Sequence, residues 1–297
     1  MSTDTQIVEI INCINTISIF NLNNIKILIL SNCPKLTHIN NGNIEKLVII
    51  KCPILNLPLF SNLVNLKIVN CKTITEIPSL YNLKKLVIKK CPKITKIPLI
   101  SSLVYLKLYN MNNIYMIRFF KNLTHLKIKY CSSLYLIPCL DKLIHFSIIK
   151  CPQILSIPTL KSLNYLMIKD CNNIVYISNL KNIKDTIIID CLFIENINNL
   201  KNLNSLTISG CYSIERLPTF LNLKILIIDG CPLIKKIYTI NSLEQLIIED
   251  CFMLDTIKNY PNLNKLSIHN CQSLKKIEIE HILEKKIITE CPLLDNT

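Results

Sequence analysis

Along most of this chain, apolar and polar residues form a block that returns every twenty positions. Residues 61–80, SNLVNLKIVNCKTITEIPSL, show it, with Leu63, Leu66, Ile68, Cys71, Ile74, Ile77 and Leu80 as the apolar set. The alternation Leu66-Lys67-Ile68 predicts a short strand with one face buried and the other exposed. The rest of the unit runs CxxIxxIPxL. Twenty residues, less that strand and two turns, leave too little room for a return helix. Proline at 58, 78, 98, 138, 158 and 218 opposes one further, because it lacks the N–H that a helix interior uses. The return segments are therefore expected to be extended, polyproline-like or short 3₁₀ turns.

The cysteines set the register. They stand at Cys13, Cys33, Cys52, Cys71 and Cys91, and then every twenty residues from Cys131 to Cys291, with Met111 filling the gap. The steps into Cys52 and Cys71 are one residue short, which predicts single deletions in loops. Written out, the unit is xNLxxLxIxxCxxIxxIPxL, present in about fifteen copies. It resembles the leucine-rich repeat, LxxLxLxxN/C, over nearly the whole length.

That resemblance implies an α/β-type repeat solenoid. In this expectation about fifteen parallel strands line the concave face of a horseshoe, with extended or 3₁₀ return segments and little α-helix. It also implies one domain over 1–297 with short tails at 1–6 and 292–297, and a non-enzymatic scaffold for protein–protein interaction that docks partners on the concave sheet. The Ile/Asn/Lys bias resembles leucine-rich repeat proteins of giant, mimivirus-like DNA viruses with AT-rich genomes. A viral origin would make the partner a host or viral protein and the location the host cytoplasm.

Composition refines this picture. Of the 297 residues 50% are hydrophobic, there is no alanine, and only 3 are glycine. The net charge of +14 comes almost wholly from lysine, since Arg118 and Arg216 are the two arginines. The start, MSTDTQIVEIINC, lacks the basic and apolar regions of a signal peptide. No apolar run approaches the ~18 residues of a membrane span. A soluble intracellular protein, in the cytoplasm and away from membranes, is expected.

The many thiols raise three chemical options, each of which fits badly. Disulfides belong to oxidising compartments, and these thiols fall in one column. Zinc sites pair ligands a few residues apart, and no CxxC occurs. A nucleophile needs an electropositive, accessible setting. Cys71, Cys91, Cys131, Cys151, Cys171, Cys191, Cys211, Cys231, Cys251 and Cys271 are therefore assigned to an inward packing slot, each bonded weakly to the backbone of the next loop. Met111, without an S–H donor, is expected to shift its loop. Cys139 lies off the ladder and is the expected accessible thiol.

The outward positions are taken as six, four, two and one residues before each slot. Lysine dominates them from Lys46 to Lys169: Lys46, Lys51, Lys67, Lys85, Lys89, Lys90, Lys107, Lys127, Lys129, Lys150 and Lys169, opposed by Asp170. The next four strands reverse the sign, with Asp185, Asp190, Asp229, Glu249 and Asp250. One column reads Tyr105, His125, His145, Tyr165, with Tyr109 and Tyr130 nearby. Ile187, Ile189, Ile225, Ile227 and Ile247 make an apolar patch among the acids.

The candidate partner site is therefore Tyr105, Lys107, Tyr109, His125, Lys127, Lys129, Tyr130, His145, Tyr165, Asp185, Ile187 and Asp229. The plainer alternative is that these lysines only solubilise an Ile-rich sheet. His125, His145 and Asp185 could ligate a metal, but exposed neighbouring histidines are more often ordinary surface. No Gly-rich phosphate loop, HExxH, paired-carboxylate or nucleophile–base spacing occurs, so no catalytic residue, metal or cofactor is expected. Nucleic-acid or other polyanion binding by the lysine/tyrosine half is the alternative function. Acids on the same sheet and the scarcity of arginine weigh against it.

The two ends differ. Lys286 occupies a normally apolar slot beside Glu284, Lys285 and Glu290, which predicts a charged C-terminal cap. The N-terminal edge, with Ile7, Val8 and Ile10, has less protection.

Overall fold

The alternating apolar positions do form strands, and they build parallel-strand solenoid coils with a repeat of about twenty residues. The computed structural model describes residues 6–294, and none of these is helical. The chain divides into two compact units, Met1–Leu143 and Ile144–Thr297. In the first, the strands are Ile7–Ile11, Ile27–Ser31, Lys46–Ile50, Asn65–Val69, Lys85–Lys89, Tyr105–Tyr109 and His125–Lys129. In the second, they are His145–Ile149, Tyr165–Lys169, Asp185–Ile189, Ser205–Ser209, Ile225–Asp229, Gln245–Glu249, Lys265–His269 and Lys285–Thr289. Within each unit consecutive strands pair in parallel, and equivalent repeat positions face one another, as with Leu106 opposite Leu126 and Leu166 opposite Thr186.

The strands between the first and the last bury their second and fourth residues and present the first and fifth; the third is presented too, except at Val48, Val87 and Ser147, which are covered. In the Tyr105–Tyr109 coil the buried set is Leu106, Leu108, Met111, Ile114, Ile117, Phe120 and Leu123, all at most 3% exposed. Stacking puts each of these against its counterparts in adjacent coils. Full burial of one such side chain contributes about 1.5–3 kcal/mol, so no coil has a core until a neighbour supplies the other half.

Two tight turns close a coil. One follows the slot, with the Ile94 N–H donating to Cys91 O at 3.2 Å, and the other precedes the next strand, with the Leu103 N–H donating to Ile100 O at 3.2 Å. The recurrent asparagine of the NL pair stitches coils together at this second turn. Asn82, Asn122, Asn182, Asn202 and Asn262 each donate Nδ2–H to a main-chain carbonyl of the preceding coil, at 2.7–3.0 Å. Between the turns the return segment is extended. Two-residue parallel strands appear there, such as Ser156–Ile157 against Tyr176–Ile177, and no described residue is 3₁₀. Prolines and inter-coil bonds hold the segment straight where a 3₁₀ turn was the other expectation.

The residue immediately before the slot also departs from expectation. It was counted as an outward strand position, but it is left-handed in every coil, with φ from 50° to 59°. Asn12, Asn32, Asn70, Asn110 and Asn270, Asp170, Asp190 and Asp250, and Gly210 and Gly230 hold this corner, alongside Lys51, Lys90, Tyr130, Lys150 and Glu290. Asparagine, aspartate and glycine tolerate that conformation best. Its N–H still continues the ladder, as from Asn110 to Lys129 O at 2.9 Å.

Candidate functional site

The first unit carries its basic face on five adjacent strands. Lys46, Lys67, Lys85, Lys89, Lys107, Lys127 and Lys129 point outward from them, and no outward strand position between Lys46 and Lys129 is acidic. Lys107 stands directly opposite Lys127. Burial holds the Lys107 ammonium below the usual lysine range, and repulsion from Lys89, Lys129, Lys127 and Lys67 pushes the same way. Like charges in register destabilise a sheet, so this face stores an electrostatic cost in the isolated chain.

Aromatic rings interleave with the charges. Tyr105 stacks on His125, opposite it in register, with centroids 6.1 Å apart. The Lys85 ammonium lies 5.0 Å from the Tyr105 ring and that of Lys89 lies 5.9 Å from Tyr109, both within cation–π range. Tyr130 sits on the left-handed corner rather than on the strand, and its ring meets Tyr109 edge-on at 5.2 Å. Burial raises the Tyr105 hydroxyl, so it stays protonated as a donor at neutral pH. Beside these residues lies a depression of about 260 Å³, floored by Val48 and Val87 and walled by Lys46, Asn65, Lys67 and Lys85. The three wall lysines were expected to point outward, whereas no floor was expected, because Val48 and Val87 stand on a column expected to be outward. Val48 and Val87 are 9% and 8% exposed at its base.

The second unit has a different face. His145 and Tyr165 pack at 5.9 Å, and the Tyr165 hydroxyl is raised by burial and then by the Asp185 carboxylate. Asp185 and Ile187 point outward from one strand, and Asp229 accepts a 2.8 Å hydrogen bond from Ser209 Oγ on the neighbouring strand. Asp190, on a corner, lies 4.0 Å from Lys169, so part of the acidic character is locally balanced. Ile225, Ile227 and Ile247 are half-buried members of the apolar patch expected, with Ile227 directly opposite Ile247.

The Cys ladder is a packing feature. Cys71, Cys91, Cys131, Cys151, Cys171, Cys191, Cys211, Cys231, Cys251 and Cys271 are buried, and Cys139 is exposed. The described S–H bonds run to the slot's own strand and to the preceding one, as from Cys211 to Ile188 O at 3.9 Å and Cys231 to Ile208 O at 4.0 Å, where the next loop was expected. Cys91 donates to Lys89 O at 3.3 Å and Cys171 to Lys169 O at 3.3 Å, carbonyls two residues back, because the left-handed corner folds the slot under its own strand. Burial pushes the thiols of Cys171 and Cys231 up to about 11 and that of Cys191 to about 12. At neutral pH these are thiols, not nucleophilic thiolates. Met111 fills the same slot without the expected loop shift. The Asn110 N–H still reaches Lys129 O at 2.9 Å, and the Ile114 N–H reaches Met111 O at 3.3 Å. Among the described residues, no group of three or more His, Cys, Asp and Glu side chains is placed to hold a metal ion.

The return side of the first unit carries what the sequence reasoning passed over. Leu99, Tyr115, Met116, Phe119, Tyr135 and Leu136 are all exposed there. A bridge between Met116 and Leu136 sets two of them side by side. The substitution of Arg118-Phe119 for the usual proline turn was the available signal.

No protein-family model matches the chain, and no curated protein matches it by sequence. Among solved structures it is similar to a leucine-rich repeat protein from Bacteroides ovatus ATCC 8483, at 15% identity over 96% of this chain and 83% of that one, with a TM-score of 0.42.

Proposed function

We propose that the chain is a non-enzymatic docking scaffold for another protein, with the outward strand faces as its contact surfaces. The observation that carries this is the first unit's face, where a run of outward lysines, Lys107 and Lys127 in register among them, goes unopposed by any outward acid. A protein partner with acidic side chains relieves that repulsion, and charge complementarity of this kind raises association rates. Tyr105 and Tyr109 add broad, stiff contact area of the sort that dominates binding energy at interface centres. The thiols of Cys171, Cys191 and Cys231, buried and held protonated, offer no nucleophile, which supports binding over catalysis. In the second unit, Asp185 and Asp229 with the outward Ile187, Ile225 and Ile227 suit a partner region of opposite charge and apolar character.

The test is affinity capture from cells with the chain and with a Lys107→Glu/Lys127→Glu variant, the retained proteins being identified by mass spectrometry. Loss of a defined protein from the variant supports the proposal, and identical retention overturns it. Polyanion binding competes for the same lysines. Binding of single-stranded nucleic acid that falls steeply between two salt concentrations would favour that alternative.

A further inference from the structure

We infer that the depression over Val48 and Val87 in the first unit seats one apolar side chain of an extended acidic segment, whose carboxylates pair with Lys46, Lys67 and Lys85. This partner chemistry rests on the docking function proposed for the same face. The strand register explains why a depression lies there. Lys46, Asn65 and Lys85 stand in one outward column, and Val48, Lys67 and Val87 stand in the next. Short side chains alternate with long ones in both columns, so the surface drops at Asn65, Val48 and Val87. The Lys85 ammonium lies 5.0 Å from the ring of Tyr105, which faces Lys85 from the side away from Asn65, so the gap over Asn65 stays open.

Size, charge and apolarity together select the occupant. At about 260 Å³ the depression is smaller than the roughly 300–1,000 Å³ of small-molecule sites, so it suits a single side chain rather than a free ligand. Leu47, Val48, Leu66 and Val87 line it together with the lysines, whose stems are apolar and whose charged heads favour water. Among the described residues no carboxylate pairs with Lys46, Lys67 or Lys85. A wholly apolar segment would strip water from these ammoniums without replacing it, and acids alone would leave the apolar lining wet. A segment that carries both meets both needs. Strands lie ~4.8 Å apart, so the main chain at Lys46 and at Lys85 is about 10 Å apart. In an extended segment the residues i−2, i and i+2 face one side over about 13 Å, and flexible lysine stems take up the difference. The pattern that fits is therefore acid, any residue, apolar, any residue, acid.

The probe is a fluorescein-labelled peptide of serines with glutamate, phenylalanine and glutamate at alternate positions, titrated with the full chain at low salt and read by fluorescence polarisation. The parent should bind it about five- to tenfold more tightly than the same peptide with alanine for phenylalanine, the gain expected from seating the ring. Val48→Lys/Val87→Lys should abolish that preference while both peptides still bind. Lysine already holds the matching outward position at Lys67 and Lys107, so this variant removes the floor in a way the coil accepts, and it is required to keep the parent's circular dichroism. Lys46→Ser/Lys85→Ser should weaken both peptides alike, and unchanged binding overturns the pairing with carboxylates. Equal binding of the two peptides by the parent overturns the subsite but leaves docking of acids on the lysine face standing. A preference that survives Val48→Lys/Val87→Lys overturns it in the same way. If neither peptide binds, the subsite falls, and capture with Lys107→Glu/Lys127→Glu decides the docking function separately. Single-stranded DNA that displaces the peptide at equal concentration overturns the choice of a peptide as occupant.

Discussion

Thr186 offers the sharpest test of how this core is assembled. It lies in the Asp185–Ile189 strand at the slot that holds Leu166 on one side and Leu206 on the other. It is 1% exposed, and its Oγ1 has no hydrogen-bond partner. A buried hydroxyl left unsatisfied costs about 1–3 kcal/mol in desolvation. Thr186→Val keeps the shape and the β-branching while exchanging that hydroxyl for a methyl, so the variant should be more stable by about 1–3 kcal/mol. Thr186→Leu tests volume separately, since a column of leucines has room for one only if the neighbouring coils have not closed around the threonine. Urea and thermal unfolding give the global effect. Stacked repeats need not unfold in one step, so amide exchange across residues 185–189 gives the local one. If Thr186→Val unfolds no later than the parent and its local exchange is no slower, a water or another group satisfies the hydroxyl and the reasoning fails.

Four further outcomes follow from the geometry. Under native conditions at pH 8 an alkylating reagent should modify Cys139 first and Cys13 and Cys291 more slowly, leaving the buried ladder untouched until denaturant is added; mass spectrometry of digests checks the order. Stability should fall in alkali. Thiols ordinarily near 9.0 titrate near 11 at Cys171 and Cys231 and near 12 at Cys191 in the folded chain, so above pH 9 the unfolded state loses protons first. The stabilisation is thus complete below about pH 9 and drains away as pH rises towards 11–12, and melts of a Cys171→Ala/Cys191→Ala variant should show a shallower decline. Gly42→Ala should destabilise the first unit by about 1–3 kcal/mol, measured by urea unfolding, because a Cβ there meets the Cβ and main chain of Leu22, which faces it across a bridge. Lys90→Asn should raise the thermal midpoint by a gain of up to about 1 kcal/mol, since the corner it occupies has φ of 53°.

Much of the architecture was legible in the sequence for a simple physical reason. A strand position repeated at a fixed interval has one face that can be buried, and Leu66-Lys67-Ile68 and its copies left no freedom in which. The outward placement of Tyr105, Lys107 and Tyr109 follows from that alternation. What escaped was set by neighbours rather than by periodicity. The left-handed corners are signalled by Asn70, Asp170 and Gly210, but the lysines at Lys51, Lys90 and Lys150 blur the pattern, so the position passed for strand. The partner of each cysteine depends on that corner and was misassigned with it. Val48 and Val87 become a floor only through the residues that stand around them, Lys46, Asn65, Lys67 and Lys85. Thr186 was invisible because a threonine in a strand is unexceptional until its depth is known.

The left-handed corner also bears on how the chain makes its turns with so little glycine. Every coil must make that backbone reversal, and glycine, the residue best suited to it, is encoded only by GG-initial codons. This chain has 3 glycines and uses two of them there, at Gly210 and Gly230. Asparagine, whose codons begin AA, is the side-chain-bearing residue that makes the reversal most cheaply, and with aspartate it fills more corners than any other residue type. The fold's one recurrent stereochemical demand thus coincides with a residue that mutational drift towards A and T supplies freely. In any genome poor in G and C, repeats of this kind could be duplicated without losing their turns.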